Sequence, residues 1–361
     1  MKKVKMISAV LILSGLLLSS CAIKPLAYQP KTIPSFEGAT QLNDKLATSE
    51  KIEIDNWYGP EDILFDSLGN IYTGVHNADF SDGRILKVDP SGKVEEFYNS
   101  GSWVAGLHFD KESNVIALSH RQGLISISPT KNVTVLSATD EHGRPFLIPN
   151  GLDIADNGMI YFSNTSETSA YSVKYGRKII MEMRPIGGLH SYNPATKEVK
   201  TIIDGVYFGN GVVVSKDQTH LLMVETTKYR VLKYWISGKN AGQTEVFMDN
   251  LHGFPNGISI REDGTYWLGF STKRNKALDE IHPKTGMKKF VYGLPEFVQP
   301  KAEPFGMVMN ISTDGEILET LFDSEGVVLP EAGAVKEFNG YLYIGGDVLP
   351  YIGKYKLDTI N

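Results

Sequence analysis

Four oxygen-bearing residues recur at one position of a repeated sequence pattern. They are Glu61, Asn150, Asn210 and Asn256, and each asparagine is followed by glycine. Proteins bind hard cations such as Ca²⁺ through carboxylates, amide carbonyls and water. One carboxylate and three amides that meet around an axis would form such a ligand set, so the pattern predicts a Ca²⁺ site.

The Asn-Gly pairs also allow a purely conformational interpretation. Asn and Gly favour turns, so each pair could simply precede a strand. Glu61 stands at the same register. It favours the metal, because a turn would not select glutamate.

A histidine is the candidate base. His120 stands in Ala-Leu-Ser-His-Arg-Gln-Gly, near the end of an apolar run. Beside a bound cation, a histidine can activate water for attack on a polarised carbonyl. We predict that His120 is this catalytic residue; the alternative is a surface or turn histidine. The sequence has no Gly-x-Ser-x-Gly elbow, which argues against covalent acyl chemistry.

The elements that must position these residues are short strands in repeated units. Each unit combines a small or polar residue and an alternating apolar run with a turn and a second apolar strand. The copies begin at Glu61, Ala105, Asn150, Asn210, Asn256 and Ala332. A repeat of about 40–50 residues with four strands is typical of a β-propeller blade. The sequence therefore predicts an all-β fold, a six-bladed β-propeller with four-stranded blades around a central channel, over residues 58–361.

Two intervals between copies are longer than the rest. They leave room for loops near 166–183 and 272–304. No segment of the chain shows a helical period of convincing length, which argues against an α/β fold.

The N-terminus has the pattern of an export signal. Three lysines among the first five residues precede an apolar run that ends in Leu-Ser-Ser-Cys21. This ending resembles the bacterial lipobox, which predicts a signal peptide over 1–20, lipidation of Cys21 and a tether and lead-in over 21–57. We expect a lipid anchor in the bacterial cell envelope, on the periplasmic face of the outer membrane in a Gram-negative cell. The alternative is an ordinary cleaved signal with an incidental cysteine.

Composition excludes several classes of protein. The 361 residues carry 36 Lys and Arg against 42 Asp and Glu, a net charge of −6, so the chain lacks the concentrated basic surface of a nucleic-acid-binding protein. A hydrophobic fraction of 42% is enough for a full core. A single cysteine excludes a disulfide framework and a thiolate metal cluster.

Ordered motifs resemble those of one propeller family. They include Gly59-Pro-Glu-Asp62, Ile148-Pro-Asn-Gly151 and Gly253-Phe-Pro-Asn256. Over roughly residues 58–357 the chain resembles the six-bladed superfamily of strictosidine synthase, gluconolactonase/regucalcin and the paraoxonases, nearest the adipocyte plasma membrane-associated branch. The resemblance implies that Glu61, Asn150, Asn210 and Asn256 hold a channel Ca²⁺.

The chain departs from this family at two places. Relatives usually have aspartate where this chain has Asn256, so we expect weaker metal affinity and chemistry that relies on another base. Glu331 lies near the catalytic glutamate of strictosidine synthase but off its register. We therefore expect no strictosidine synthase activity.

Two functions follow from the sequence. The first is a monomeric Ca²⁺-dependent hydrolase of small lactones or esters, tethered to the membrane through Cys21. The second is a non-catalytic propeller lipoprotein with a structural metal that binds a small ligand or a protein partner. Fold alone does not choose between them.

Overall fold

The computed structural model describes residues 23–168 and 172–358, which form six four-stranded antiparallel sheets. The first three sheets are β2 (Ile63–Phe65), β3 (Ile71–His76), β4 (Gly83–Val88) and β5 (Val94–Asn99); β6 (Val104–Phe109), β7 (Val115–Ser119), β8 (Gly123–Ile127) and β9 (Val133–Ser137); and β10 (Pro149–Ile154), β11 (Ile160–Asn164), β12 (Gly187–Asn193) and β13 (Glu198–Val206). The other three are β14 (Gly209–Val214), β15 (His220–Glu225), β16 (Arg230–Trp235) and β17 (Thr244–Met248); β18 (Gly253–Ile260), β19 (Tyr266–Lys273), β20 (Gly306–Ile311) and β21 (Ile317–Asp323); and β22 (Ala334–Phe338), β23 (Tyr341–Gly345), β24 (Tyr351–Lys356) and β1 (Glu50–Glu53).

The sheets are arranged as a closed ring. Strands β2, β6, β10, β14, β18 and β22 each contact the corresponding strand of the next sheet, and β22 contacts β2. These six strands are therefore the innermost strands around a central axis. The predicted six-bladed all-β propeller is confirmed.

The last blade contains both ends of the ring. Its outermost strand is β1, which pairs with β24 in antiparallel register, Ile52 opposite Ile352. Strand β1 lies before residue 58, where the sequence analysis began the propeller. Pairing an N-terminal strand with the last blade leaves no break in the ring and covers one sheet edge.

Three glycines allow the innermost strands to approach closely. A Cβ on Gly151 would lie 2.6 Å from Gly211 Cα, one on Gly211 2.7 Å from Ile258 N, and one on Gly257 2.7 Å from Gly333 O. Real Cβ atoms do not tolerate such contacts. These glycines lie within strands and none has a positive φ, so the interpretation of Asn-Gly as a turn is wrong: the glycine serves packing around the axis.

Aspartate side chains close the tight turns between paired strands. Asp66 Oδ1 accepts hydrogen bonds from the amides of Leu68 and Asn70 in the β2–β3 turn. Asp110 Oδ1 does the same for Glu112 and Asn114 in the β6–β7 turn. This Asx geometry explains why the repeated pattern places Asp and Asn between apolar strands.

Helices occur in the two long connections that the sequence analysis assigned to loops. Helix α1 (Val173–Glu182) lies between β11 and β12, and α2 (Lys276–Ile281) and α3 (Thr285–Tyr292) lie between β19 and β20. Side-chain N-caps stabilise the first turns of α1 and α2. Ser172 Oγ accepts a hydrogen bond from Tyr175 N, and Asn275 Oδ1 accepts one from Leu278 N. No helix within the described residues is long and apolar enough to span a membrane.

Residues 23–49, the N-terminal strap, lie along the propeller. Leu26 N donates to Glu182 O at the end of α1, and Tyr28 N donates to His282 O at the end of α2. Arg274 Nη2 donates to Lys31 O. The predicted signal peptide and Cys21 lie outside the described residues.

Candidate metal centre in the channel

The structure brings the four predicted ligands together. Glu61, Asn150, Asn210 and Asn256 all line one channel cavity of about 110 Å³ on the propeller axis. All four are buried. They stand at or just before the innermost strands of blades one, three, four and five, which is how residues distant in sequence meet at one axis.

Hydroxyl groups orient two of the amides. Asn256 Nδ2 donates to Ser271 Oγ at 3.0 Å, and Asn210 Nδ2 donates to Thr226 Oγ1 at 3.2 Å. The NH₂ groups are thereby held by the surrounding strands. The carbonyl oxygens, which are the atoms that bind hard cations, remain for another partner.

Two buried oxygens at this centre have no hydrogen-bond donor. Glu61 Oε2 and Asn256 Oδ1 have no partner within the described part of the chain, although Glu61 is only 7% exposed and Asn256 only 2%. Buried polar atoms are nearly always hydrogen-bonded, because leaving one unsatisfied costs about 1–3 kcal/mol. A cation bound to both oxygens would remove that cost, so the residues present fit Ca²⁺.

Neighbouring carboxyls crowd Glu61. Burial raises the pKa of Glu61 well above its ordinary value, and the charge and hydrogen bond of Asp347 and the charge of Glu331 raise it further. Burial and the charge of Asp347 raise the pKa of Glu331 to about 8. Without a cation, these raised pKa values favour the protonated form of both carboxyls, and a cation bound at the centre would favour the ionised form.

The turn that holds Asp347 is fixed from two sides. Glu331 Oε1 accepts from Val348 N at 2.6 Å, and His76 Nε2 lies 2.7 Å from Asp347 O. A Cβ on Gly346 would come within 2.6 Å of Glu331 Cδ, so the turn packs directly on that carboxyl. Glu331 is thus a positioning residue for the Asp347 turn.

The sequence analysis did not identify Asp347 as a site residue. It follows β23 in an irregular turn, away from the register that marks the other residues. Its carboxyl adds charge next to Glu61. Within the described residues, no group of three or more His, Cys, Asp and Glu has the arrangement of a metal site, so a site here depends on the amides.

His120 lies beside this centre but does not line the cavity. Its ring is hydrogen-bonded to the backbone of Pro149, next to Asn150, and packs edge-on against Trp103 at a centroid distance of 5.3 Å. Burial and the charge of His76 lower the pKa of His120 to about 3. The imidazole is therefore neutral at neutral pH, and its base strength is low.

A second polar group lies farther along the channel. His108 Nε2 is 3.2 Å from Asp153 Oδ1, and His108 Nδ1 is 2.7 Å from Phe109 O. Both ring nitrogens face acceptors, which only the protonated imidazole satisfies. Burial alone would lower the pKa of His108, but the hydrogen bond and charge of Asp153 outweigh it and raise that pKa.

Sequence comparison assigns the family. The strictosidine synthase-like N-terminal profile matches residues 38–88, and the strictosidine synthase profile matches residues 150–239. Strictosidine synthase-like protein 13 of Arabidopsis thaliana is 32% identical over 324 residues, which cover 79% of this chain and 77% of that protein. The chain belongs to the strictosidine synthase-like family. Another member with a similar sequence is the adipocyte plasma membrane-associated protein of Rattus norvegicus, 28% identical over 376 residues that cover 98% of this chain and 97% of the relative.

Solved structures share the fold of this strictosidine synthase-like chain. A gluconolactonase from Xanthomonas campestris superposes with a TM-score of 0.61 at 14% identity, over 93% of this chain and 97% of the other. The calcium-binding protein regucalcin from Agrobacterium tumefaciens superposes with a TM-score of 0.59 at 13% identity, over 86% of this chain and 94% of the other. At such identities the similarity establishes the propeller alone.

Proposed function

We propose that this strictosidine synthase-like protein is a Ca²⁺-dependent hydrolase of lactones or esters. The observation that carries the proposal is the pair of buried, unpartnered oxygens, Glu61 Oε2 and Asn256 Oδ1, on a channel also lined by Asn150 and Asn210. Both analogies come from proteins that share the fold: the gluconolactonase supports lactone hydrolysis, and the calcium-binding regucalcin supports the cation.

The chain's own residues supply the binding site. Glu61, Asn150, Asn210 and Asn256 would hold the cation, and Asp347 would add negative potential beside Glu61. When bound, Ca²⁺ supplies Lewis-acid polarisation of a carbonyl oxygen. The channel walls then restrict the substrate to a small molecule, because the cavity measures about 110 Å³.

The base remains a prediction. His120 is neutral, and it is hydrogen-bonded to the backbone of Pro149, the residue that precedes Asn150. Its pKa of about 3 gives it little driving force for proton transfer at neutral pH, since a general base works best with a pKa near the working pH. This feature favours the second candidate, a structural metal in a propeller that binds a small ligand or a protein.

The cellular location is also a proposal. A lipid on Cys21 in the bacterial envelope agrees with the sequence pattern of residues 1–21. The protein would then act on periplasmic solutes as a lipid-anchored monomer. Globomycin treatment of expressing cells, followed by mass spectrometry of the N-terminal peptide, tests the modification of Cys21.

The test of function is hydrolysis of a lactone and aryl-ester panel during a Ca²⁺ titration. Every strand lies after residue 49, so a chain that begins at residue 22 keeps the complete ring. We expect turnover that rises with Ca²⁺, is lost in Glu61→Gln and is retained in Glu245→Gln, an exposed glutamate of β17. If no substrate turns over while Ca²⁺ still raises the melting temperature, the metal is structural and the binding function stands. If Ca²⁺ changes neither readout, the channel does not bind it.

A further inference from the structure

Large apolar side chains are exposed together on one part of the surface. Met287 and Phe290 project from α3, and Phe297 and Val298 project from the turn that follows it. Phe297 is 82% exposed, the highest value for any large apolar side chain in the described residues. Single exposed apolar residues are ordinary, but four in one neighbourhood indicate an interaction surface.

Hydrogen bonds hold the turn in its projecting position. Arg177 Nη1 of α1 donates to Gln299 Oε1 at 3.0 Å. Gln299 Nε2 donates in turn to Tyr292 O at 3.0 Å and to Leu294 O at 2.6 Å. These hydrogen bonds tie the turn that carries Phe297 to α1 and to the end of α3.

The same surface is basic although the chain is acidic overall. Three lysines here are exposed: Lys284 at the N-cap of α3, Lys289 within α3, and Lys301 after the turn. Among the residues that the structure describes, none of these three lysines forms an ion pair, whereas the chain as a whole carries a net charge of −6. Apolar side chains flanked by lysines are typical of surfaces that lie in the interface of an anionic bilayer.

The N-terminal segment leads directly to this surface. Lys288 Nζ of α3 donates to Leu26 O at 2.8 Å, and Leu26 is itself 43% exposed. Cys21 is five residues before Leu26, so it can be at most about 18 Å from that position. A lipid on Cys21, which the proposed anchor would supply, would therefore be close to α3.

The candidate ligands lie at the same end of the strands as the connections that carry the helices. Helices α2 and α3 follow the end of β19, where Lys273 pairs with Gly253, three positions before Asn256. Helix α1 follows the end of β11, where Asn164 pairs with Pro149, adjacent to Asn150. Both connections thus leave the ring at the end that carries the candidate ligands.

We propose that Leu26, Met287, Phe290, Phe297 and Val298, with Lys284, Lys289 and Lys301, form a membrane-docking surface that seats the propeller on an anionic lipid bilayer. The four apolar residues of α3 and its turn enter the interface between headgroups and acyl chains, while the lysines contact the anionic headgroups. Two features favour a bilayer over a protein partner. One is the position of Cys21, which rests on the proposed lipid anchor, and the other is the basic charge of the surface.

The test is sedimentation of the chain beginning at residue 22 with sucrose-loaded vesicles. One set contains phosphatidylcholine alone and the other phosphatidylcholine with phosphatidylglycerol at three to one. We expect binding to the anionic vesicles, reduced at least about tenfold in Phe290→Ser/Phe297→Ser, because two aromatic side chains leave the interface. Replacing the three lysines by glutamine should weaken binding to the anionic vesicles about fivefold per charge and leave neutral vesicles unaffected.

A matched variant separates docking from general hydrophobicity. Leu68→Ser/Val327→Ser removes two side chains that are 77% and 75% exposed elsewhere on the propeller. We expect it to bind vesicles like the unchanged protein. Absence of vesicle binding, or equal loss in both double variants, would overturn the proposal. A change in sedimentation coefficient without lipid in Phe290→Ser/Phe297→Ser would instead assign the surface to self-association.

Discussion

A hydrogen bond between Asn256 and Ser271 sets the orientation of one amide at the candidate metal centre. The asparagine donates its Nδ2 hydrogen to Ser271 Oγ at 3.0 Å, which leaves Oδ1 buried and without a donor. A serine hydroxyl on β19 thereby fixes which end of the amide is available to a cation. The same hydroxyl could donate to a carboxylate, so the site is also compatible with an aspartate at position 256.

Asn256→Asp should strengthen Ca²⁺ binding. A second anionic ligand raises the charge of the site, and we expect the Kd to fall about tenfold in isothermal titration calorimetry. Asn240→Asp, in the turn before β17, adds the same charge away from the channel and should leave the Kd unchanged. An equal Kd in all three proteins would exclude Asn256 as a ligand.

Ser271→Ala should act in the opposite direction. Without the hydroxyl, Asn256 Nδ2 loses its described acceptor, and the amide is free to rotate its NH₂ group towards the cation position. We expect a Kd that rises several-fold, roughly the loss of one hydrogen bond of about 1 kcal/mol. Ser259→Ala, also on the channel but farther along β18, is the control.

Asp347→Asn should change metal-free stability and metal affinity in opposite senses. Removing one of the crowded carboxyls relieves repulsion with Glu61, so the melting temperature without Ca²⁺ should rise. The increase in melting temperature produced by Ca²⁺ should shrink, because the site has lost negative potential. Asp314→Asn, an exposed turn residue, should alter neither value. A lower metal-free melting temperature in Asp347→Asn would mean that the turn depends on this carboxyl.

The His108–Asp153 pair predicts a pH-dependent contribution to stability. The pKa of His108 is raised, so its contribution is complete below about pH 6.5 and is lost as pH rises through the higher folded-state pKa. The pKa of Asp153 is lowered, mainly by His108 against the effect of burial, so its contribution is lost only in acid. Asp62 and Lys336 also face this part of the channel and add charges of both signs.

Urea unfolding of His108→Gln at pH 5.5 and at pH 9 measures this contribution. We expect the variant to be less stable than the unchanged protein by about 1 kcal/mol at pH 5.5, since channel water screens a side chain that is 34% exposed. The difference should shrink at pH 9. His142→Gln, whose side chain is 68% exposed, should show no such dependence. A difference that is constant with pH would indicate packing in place of charge.

Arg274 and Asp279 should be the most important ion pair for stability. Arg274 is fully buried, binds Asp279 Oδ2 at 2.7 Å, and also donates to Lys31 O in the N-terminal strap. Arg274→Met leaves a buried carboxylate uncompensated, which should cost about 3–5 kcal/mol in chemical denaturation. Lys276→Met breaks an exposed pair with Glu280 on the same helix and should cost less than about 0.5 kcal/mol. Similar losses in the two variants would contradict this assignment.

The periodic parts of the structure could be predicted from the sequence. Asn150, Asn210 and Asn256, each with its glycine, repeat because every blade places the same strand position at the axis. That repetition is visible in one sequence and is enough to predict the ring and the residues that line it. The role of the glycine could not be predicted from the sequence. Gly211 allows strands of different blades to pack closely, and this is a long-range contact.

The elements that do not repeat could not be predicted from the sequence, because contacts with distant parts of the chain determine their positions. Strand β1 has the polar sequence Glu50-Lys-Ile-Glu53, and its assignment depends on the edge of β24. Helix α1 contains Gly176 and begins with a single serine cap, so its propensity is weak and its packing decides. Asp347 owes its position to contacts from Glu331 and His76, distant residues whose roles no local pattern indicates.

The β1–β24 pairing has a consequence for biogenesis. The two strands are roughly 300 residues apart, so the ring cannot close until β24 has been synthesised. At about 5–20 residues per second, a ribosome needs about 15–60 s to produce that separation. During this interval the outer edge of the last blade does not yet exist and Glu50–Glu53 has no partner. Closure of the ring therefore waits for β24, and β1, although synthesised much earlier, is among the last strands to be paired.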